Sequence, residues 1–147
     1  MQDGRRQDHE QRKRIHRKGN SLDVQPEQPT GTVIGGKELL NIAAESKDDI
    51  FVIDQSYEHY TTLKLISDRE AADAGNIILM HSMTKQFCIP GLRLGYVTAA
   101  PQLISRLKAL RHPWSVNALA IEAGLTSYRT KRRRYLMSAA CSTRRRD

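Results

Sequence analysis

A chain of 147 residues has room for one domain with its own core and too little for two. Its formal net charge of +8 suggests nucleic acid only until the charge is located: residues 1–18 carry seven Lys/Arg against three acids, residues 129–147 carry eight against one, and the stretch between carries nine against twelve. The basic character belongs to the two ends. Cys88 and Cys141 stand far apart with no His at a ligand spacing, and the longest aliphatic run is only Ile77-Ile78-Leu79-Met80; this argues against a disulfide framework, a zinc site and a membrane span.

In chain order, residues 1–20 are Gln, Arg, Asp and His with almost nothing to bury, so they are expected to be disordered. Turn formers fill Gln25-Pro26-Glu27-Gln28-Pro29-Thr30-Gly31, and Gly35-Gly36 precedes a stretch of helical composition, Lys37 to Ala44. Short apolar runs at Ile50–Asp54, Asn76–Ser82 and Leu94–Thr98 read as strands buried on both faces. Gln102–Arg111 places Leu103, Leu107 and Leu110 on one helical stripe; a second helix, starting near Ser115 or Asn117, carries Val116, Leu119, Ala120 and Ala123 to about Tyr128. Beyond Tyr128 no stripe continues, and residues 129–147 are expected to form a basic, disordered tail. Alternating strands and helices over residues 21–128 predict an α/β domain with a mostly parallel sheet and helices on both faces.

In such a sheet, ligands gather outside the carboxyl ends of the strands. Asp54 closes one run and Tyr57 follows it; Ser82 and Lys85 close the next, and Arg93 follows the turn formers Pro90-Gly91. Singly, each has an ordinary reading as a turn former, a packed phenol or a solvated charge. Together, an acid, a phenol, a hydroxyl, an amine and a guanidinium at two strand ends suit an electron-withdrawing aldehyde cofactor that carries a phosphate. Ser82-Met83-Thr84-Lys85 also fits the Ser-x-x-Lys pattern of penicillin-binding proteins, but the companion Ser-Asp-Asn and Lys-Thr-Gly motifs are absent from the sequence.

From Asp54-Gln55-Ser56-Tyr57 through Ser82-Met83-Thr84-Lys85-Gln86-Phe87-Cys88-Ile89-Pro90-Gly91-Leu92-Arg93-Leu94-Gly95-Tyr96 the sequence resembles the fold-type I aminotransferases of class I/II. With His112-Pro113-Trp114-Ser115-Val116-Asn117 it is most similar to the threonine-phosphate decarboxylases of cobalamin biosynthesis, and next to histidinol-phosphate aminotransferases. The resemblance spans about Val24 to Tyr128 and implies pyridoxal 5'-phosphate as cofactor. It implies that Lys85 holds the cofactor aldehyde as a Schiff base, Asp54 faces the pyridine nitrogen, Tyr57 bonds the ring's phenolic oxygen, and Ser82 and Arg93 hold the phosphate. Gln28 stands where the family has an Asn that contacts the ring oxygen, with the same amide on a longer stem.

The family's members are more than twice this length, so the chain reads as a fragment, with an unpaired sheet edge ahead of Val24 and an exposed apolar face. By resemblance the substrate is a small amino-acid phosphate, the complete architecture a homodimer, and the location cytoplasmic, with no membrane partner. The alternatives are an aminotransferase of histidinol-phosphate type and a non-catalytic fragment whose basic ends bind nucleic acid. The last is disfavoured, because neither basic end shows a recognised binding fold.

Overall fold

The computed structural model describes residues 21–143, with side chains from residue 21 to residue 130. The disorder expected of residues 1–20 falls outside the described residues. The elements are β1 (Ser21–Val24), α1 (Gly36–Glu45), β2 (Phe51–Asp54), α2 (Asp68–Ala74), β3 (Ile77–Ser82), the short α3 (Met83–Gln86), β4 (Gly95–Ala99), α4 (Pro101–Leu110) and α5 (Ala118–Thr143). Single 3-10 turns stand at Glu58–Tyr60 and Pro90–Leu92. The strands form one sheet in the order β1-β2-β3-β4, in which β1, β2 and β3 run parallel and β4 returns antiparallel.

Alternation along the strands sends Phe51, Ile53, Ile77 and Leu79 to one face. There they meet Leu39, Ile42 and Ala43 of α1, Ala71 of α2, and Ile34 and Ile66 from the loops, all buried. At about 1.5–3 kcal/mol for each large side chain fully buried, this cluster dominates the folding energy. The opposite face is thinner: Ile78, Ala99 and Leu103 are buried there, with Ile50, Val52 and Ile104 packed against them. Helices therefore cover both faces, unequally.

Local chemistry sets the helix ends. Ser67 and Glu70 make a reciprocal capping box that starts α2, and Gly75 ends it in the left-handed conformation. Pro101 occupies the first turn of α4, where its missing N–H costs nothing. Asn117 Oδ1 accepts from the Ala120 amide at 2.8 Å and caps α5.

Three expectations change. Strand β1 was not anticipated; it pairs Ser21 with Phe51 through Val24 with Asp54 and becomes an edge of the sheet, with Leu22 exposed. The helical stripes are only partly used: Leu103 is buried but Leu110 is 81% exposed, and in α5 Ala120 is buried while Leu119 is 74% exposed. Periodicity shows which residues share a helix face, but not whether that face has something to cover it. Helix α5 also runs past Tyr128 to Thr143, since Arg, Lys, Leu, Met and Ala all favour helical backbone. Its near end approaches the sheet closely: an added Cβ at Gly124 would lie 2.7 Å from Leu94 Cδ2.

One buried polar side chain ties α1 to the sheet. The Asn76 amide nitrogen donates to the carbonyls of Ala43 at 2.9 Å, Ser46 at 3.2 Å and Asp49 at 3.1 Å, joining the end of α1 to the loop that enters β2. Asn76→Ala leaves these carbonyls short of a donor, and urea denaturation should read a loss of about 2 kcal/mol.

Candidate functional site at the carboxyl ends of two parallel strands

Parallel pairing of β2 with β3 sets Phe51 opposite Ile77 and Asp54 opposite Met80, so both strands deliver their carboxyl ends to the same edge. The ladder continues one step further, the Gln55 amide donating to the Met80 carbonyl at 2.8 Å. There the chain turns, because Asp54 Oδ1 accepts from the Ser56 amide at 2.9 Å and from the Ser56 hydroxyl at 2.5 Å. The turn carries Tyr57 outward, edge-to-face with Tyr60 at 5.7 Å between ring centroids.

Strand β3 passes straight into α3, placing Ser82 at the strand end and Lys85 one turn further. Lys85 is exposed, and its Nζ stands 5.2 Å from the centre of the Tyr57 ring. The Ser82 and Thr84 hydroxyls lie 2.7 Å apart. After the Pro90–Leu92 turn, Arg93 sits in the left-handed region at φ 50°, as does Cys88 at φ 54°. Such backbone costs on the order of 1 kcal/mol or more in a non-glycine residue, and it turns the chain back into β4.

An open groove of about 300 Å³ runs along this edge, lined by Ser56, Ser82, Thr84, Arg93 and Tyr96 among others. Arg93 is exposed there, and its Nη1 makes only a long bond of 3.4 Å to the Pro90 carbonyl, leaving the guanidinium's other donors turned to solvent. Two hydroxyls and a guanidinium around one groove are the donor set of a phosphate site.

The structure thus brings Ser82 and Arg93 to one groove, sets Lys85 against Tyr57, and places Asp54 at the adjoining strand end. It does not bring Gln28 there: Gln28 is exposed in the turn closed by the Gly31 amide on the Glu27 carbonyl. The buried amide of that segment is Gln25, whose Oε1 accepts from the Ile34 amide at 2.8 Å and whose Nε2 donates to Asp23.

Three groups were missed from the sequence. Thr84 is buried beside Ser82; Ser56 fixes Asp54; and His81, 5% exposed, lies between Glu58 and Asp68. A hydroxyl two residues after a strand-terminal Ser was a usable signal for Thr84. His81 carried none, as its partners are remote in sequence.

A mostly parallel sheet with a lysine, an acid and a phosphate-type groove at its carboxyl edge is the large-domain architecture of the fold-type I pyridoxal-phosphate enzymes. The structure of L-threonine-O-3-phosphate decarboxylase from Porphyromonas gingivalis superposes with a TM-score of 0.73 at 33% identity, covering 77% of this chain and 35% of that one. Histidinol-phosphate aminotransferase from Sinorhizobium meliloti, solved with pyridoxal-5'-phosphate, shares the fold at a TM-score of 0.64 and 17% identity, over 69% of this chain and 28% of that one.

Residues 24–142 match the family of aminotransferases class I and II, and the chain belongs to that family, whose cofactor is pyridoxal 5'-phosphate. In sequence it is 36% identical over 95 residues to the adenosylcobalamin biosynthesis bifunctional protein CobDQ of Leptospira interrogans, covering 65% of this chain and 11% of that protein. It is 32% identical over 100 residues to a histidinol-phosphate aminotransferase of Desulfitobacterium hafniense, covering 68% of this chain and 27% of that one. The chain therefore spans between 11% and 35% of the length of these relatives.

Glu58 joins the site to pH. Burial would raise its carboxyl, but hydrogen bonds from His59 and His81, with their charges, outweigh that and hold it at about 2 against an ordinary 4.5. A depressed folded-state value means that the stabilisation is complete above 4.5 and is lost as the pH falls toward 2. Thermal melts across that window should therefore show the gap between wild type and Glu58→Gln closing as acid is added.

Proposed function

We propose that this chain is the cofactor-binding part of a pyridoxal-phosphate-dependent decarboxylase of the threonine-phosphate type, acting in cobalamin biosynthesis, with residues 21–128 as the cofactor-binding unit. The observation that carries the reading is the placement of Lys85 against Tyr57 beside a groove lined by Ser82, Thr84 and Arg93. Similarity to the P. gingivalis decarboxylase and to CobDQ supports the choice of branch.

The residues fit the cofactor's chemistry. Arg93, Ser82 and Thr84 would hold the phosphate, Arg93 through a bidentate contact that lysine cannot make. Asp54, with Oδ1 fixed by Ser56, would present its second oxygen to the pyridine nitrogen and keep it protonated. Tyr57 would donate to the ring's phenolic oxygen, with Gln28 reaching it only if its exposed turn folds inward. Lys85 would bind the aldehyde carbon and, once displaced by the substrate amine, move protons at the substrate α-carbon. Bound there, pyridoxal phosphate supplies an electron-withdrawing ring that stabilises the negative charge left when a carboxylate departs.

The substrate class is a small amino-acid phosphate, the assembly a homodimer, and the compartment the cytoplasm; no helix among the described residues is long and apolar enough to cross a membrane. A histidinol-phosphate aminotransferase is the second reading, favoured by the D. hafniense relative. Carbon dioxide release from a threonine phosphate supports the first, and amino transfer to a keto acid supports the second.

Adding pyridoxal phosphate to the purified chain should produce the visible absorption band of a lysine-bound cofactor, absent in Lys85→Ala. No band in the wild type overturns the reading, and an identical band in the variant assigns the cofactor to another lysine. Arg93→Lys should weaken cofactor binding by about tenfold, or roughly 1.4 kcal/mol.

A further inference from the structure

We infer that His81 is a positioning residue: by pairing with Glu58 and Asp68 it holds the turn bearing Tyr57 in register with the segment bearing Ser82, Thr84 and Lys85. The inference rests on the proposed cofactor role of those residues.

The geometry is that of a three-way junction. His81 lies on β3, one residue before Ser82 and four before Lys85, and its side chain is 5% exposed. Its Nδ1 stands 3.2 Å from Glu58 Oε1, and Glu58 is the immediate neighbour of Tyr57. Its Nε2 stands 3.1 Å from Asp68 Oδ1, at the first residue of α2, in ion-pair contact rather than hydrogen-bond alignment. The ring stacks on Tyr96 of β4 at 4.6 Å and 13°, directly across the sheet pairing.

One imidazole thus contacts three other segments: the Tyr57 turn, the start of α2, and β4. Glu58 Oε1 also lies 3.3 Å from His59 Nε2, so the carboxylate is held from its own turn as well as from β3.

The consequence is that the Tyr57 ring and Lys85 Nζ, which follow the ends of different strands, do not depend on their own weak contact for alignment. An exposed amine over an aromatic face gains too little to order a long side chain. A part-buried tether between the two backbones removes most of the freedom that this contact would otherwise have to overcome. In a site where an error of about 1 Å can cost a hundredfold, such a tether acts on cofactor binding without touching the cofactor.

The test reads alignment without the cofactor. Lysines are reductively methylated with a carbon-13 label and the Lys85 signal is assigned by its absence in Lys85→Arg. In the wild type it should be shifted upfield by the Tyr57 ring, and Tyr57→Leu should abolish the shift. Glu58→Gln, a substitution at a partly exposed site that leaves the core intact, should collapse the shift while thermal melting still shows a cooperative fold. His81→Gln should do the same, and Glu58→Gln should weaken pyridoxal phosphate binding by about tenfold without removing the band. An unchanged Lys85 shift in folded Glu58→Gln overturns the tether whatever the cofactor does. A collapsed shift with no cofactor band in the wild type upholds the tether and removes the cofactor reading instead.

Discussion

The parallel pairing of β2 with β3 is the constraint on which the site depends. Phe51, Ile53, Ile77 and Leu79 are buried together on one face only if Phe51 stands opposite Ile77, and a slip of one residue would turn those side chains to the other side. The same register fixes how far each strand runs before it ends. Asp54 and Ser82 therefore reach one edge of the sheet because of apolar side chains some distance away, and the polar residues beyond them have no separate part in choosing the register. Core packing thus sets the position of chemical groups that contribute nothing to the core.

The two faces of the sheet differ in how completely they are closed. Under α1 and α2 the apolar residues are covered, and the one large tie between helix and loop, Asn76, has its donors engaged by three carbonyls. On the other face and along α5, Leu22, Met80, Val97, Leu110, Leu119 and Tyr128 remain exposed. Patches of this kind belong where further chain or another molecule packs, which accords with a chain matching at most 35% of the length of the relatives described above. The edge that carries the candidate site lies between these two regions, held firmly from one side and thinly from the other.

Much of the fold was legible because its signals are local. The runs ending at Asp54 and Ser82 are short, apolar and closed by a polar residue, and the strands appear there. Asn117 was a visible cap and serves as one. The Ser67–Glu70 capping box was equally local and was overlooked, although a Ser followed by a Glu three residues on announces a helix start. β1 was harder: four residues with Leu22 exposed carry little alternation to detect, and only the presence of β2 beside them makes a strand. Leu107, Leu110 and Leu119 misled because a stripe requires a partner surface, which no local pattern supplies.

By itself the sequence determined the order and type of the chemical groups: an acid and a phenol after one strand, hydroxyls and an amine after the next, a guanidinium after a turn. Asp54, Ser82 and Arg93 each bond a residue two or three positions away, so their order follows from spacing along the chain. The tertiary structure alone decided which of them meet and what aligns them. It buried Gln25, left Gln28 in an exposed turn, and set His81 between Glu58 and Asp68. The contact between His81 and Glu58 joins positions 23 residues apart, a separation that folding must close and that no local propensity encodes.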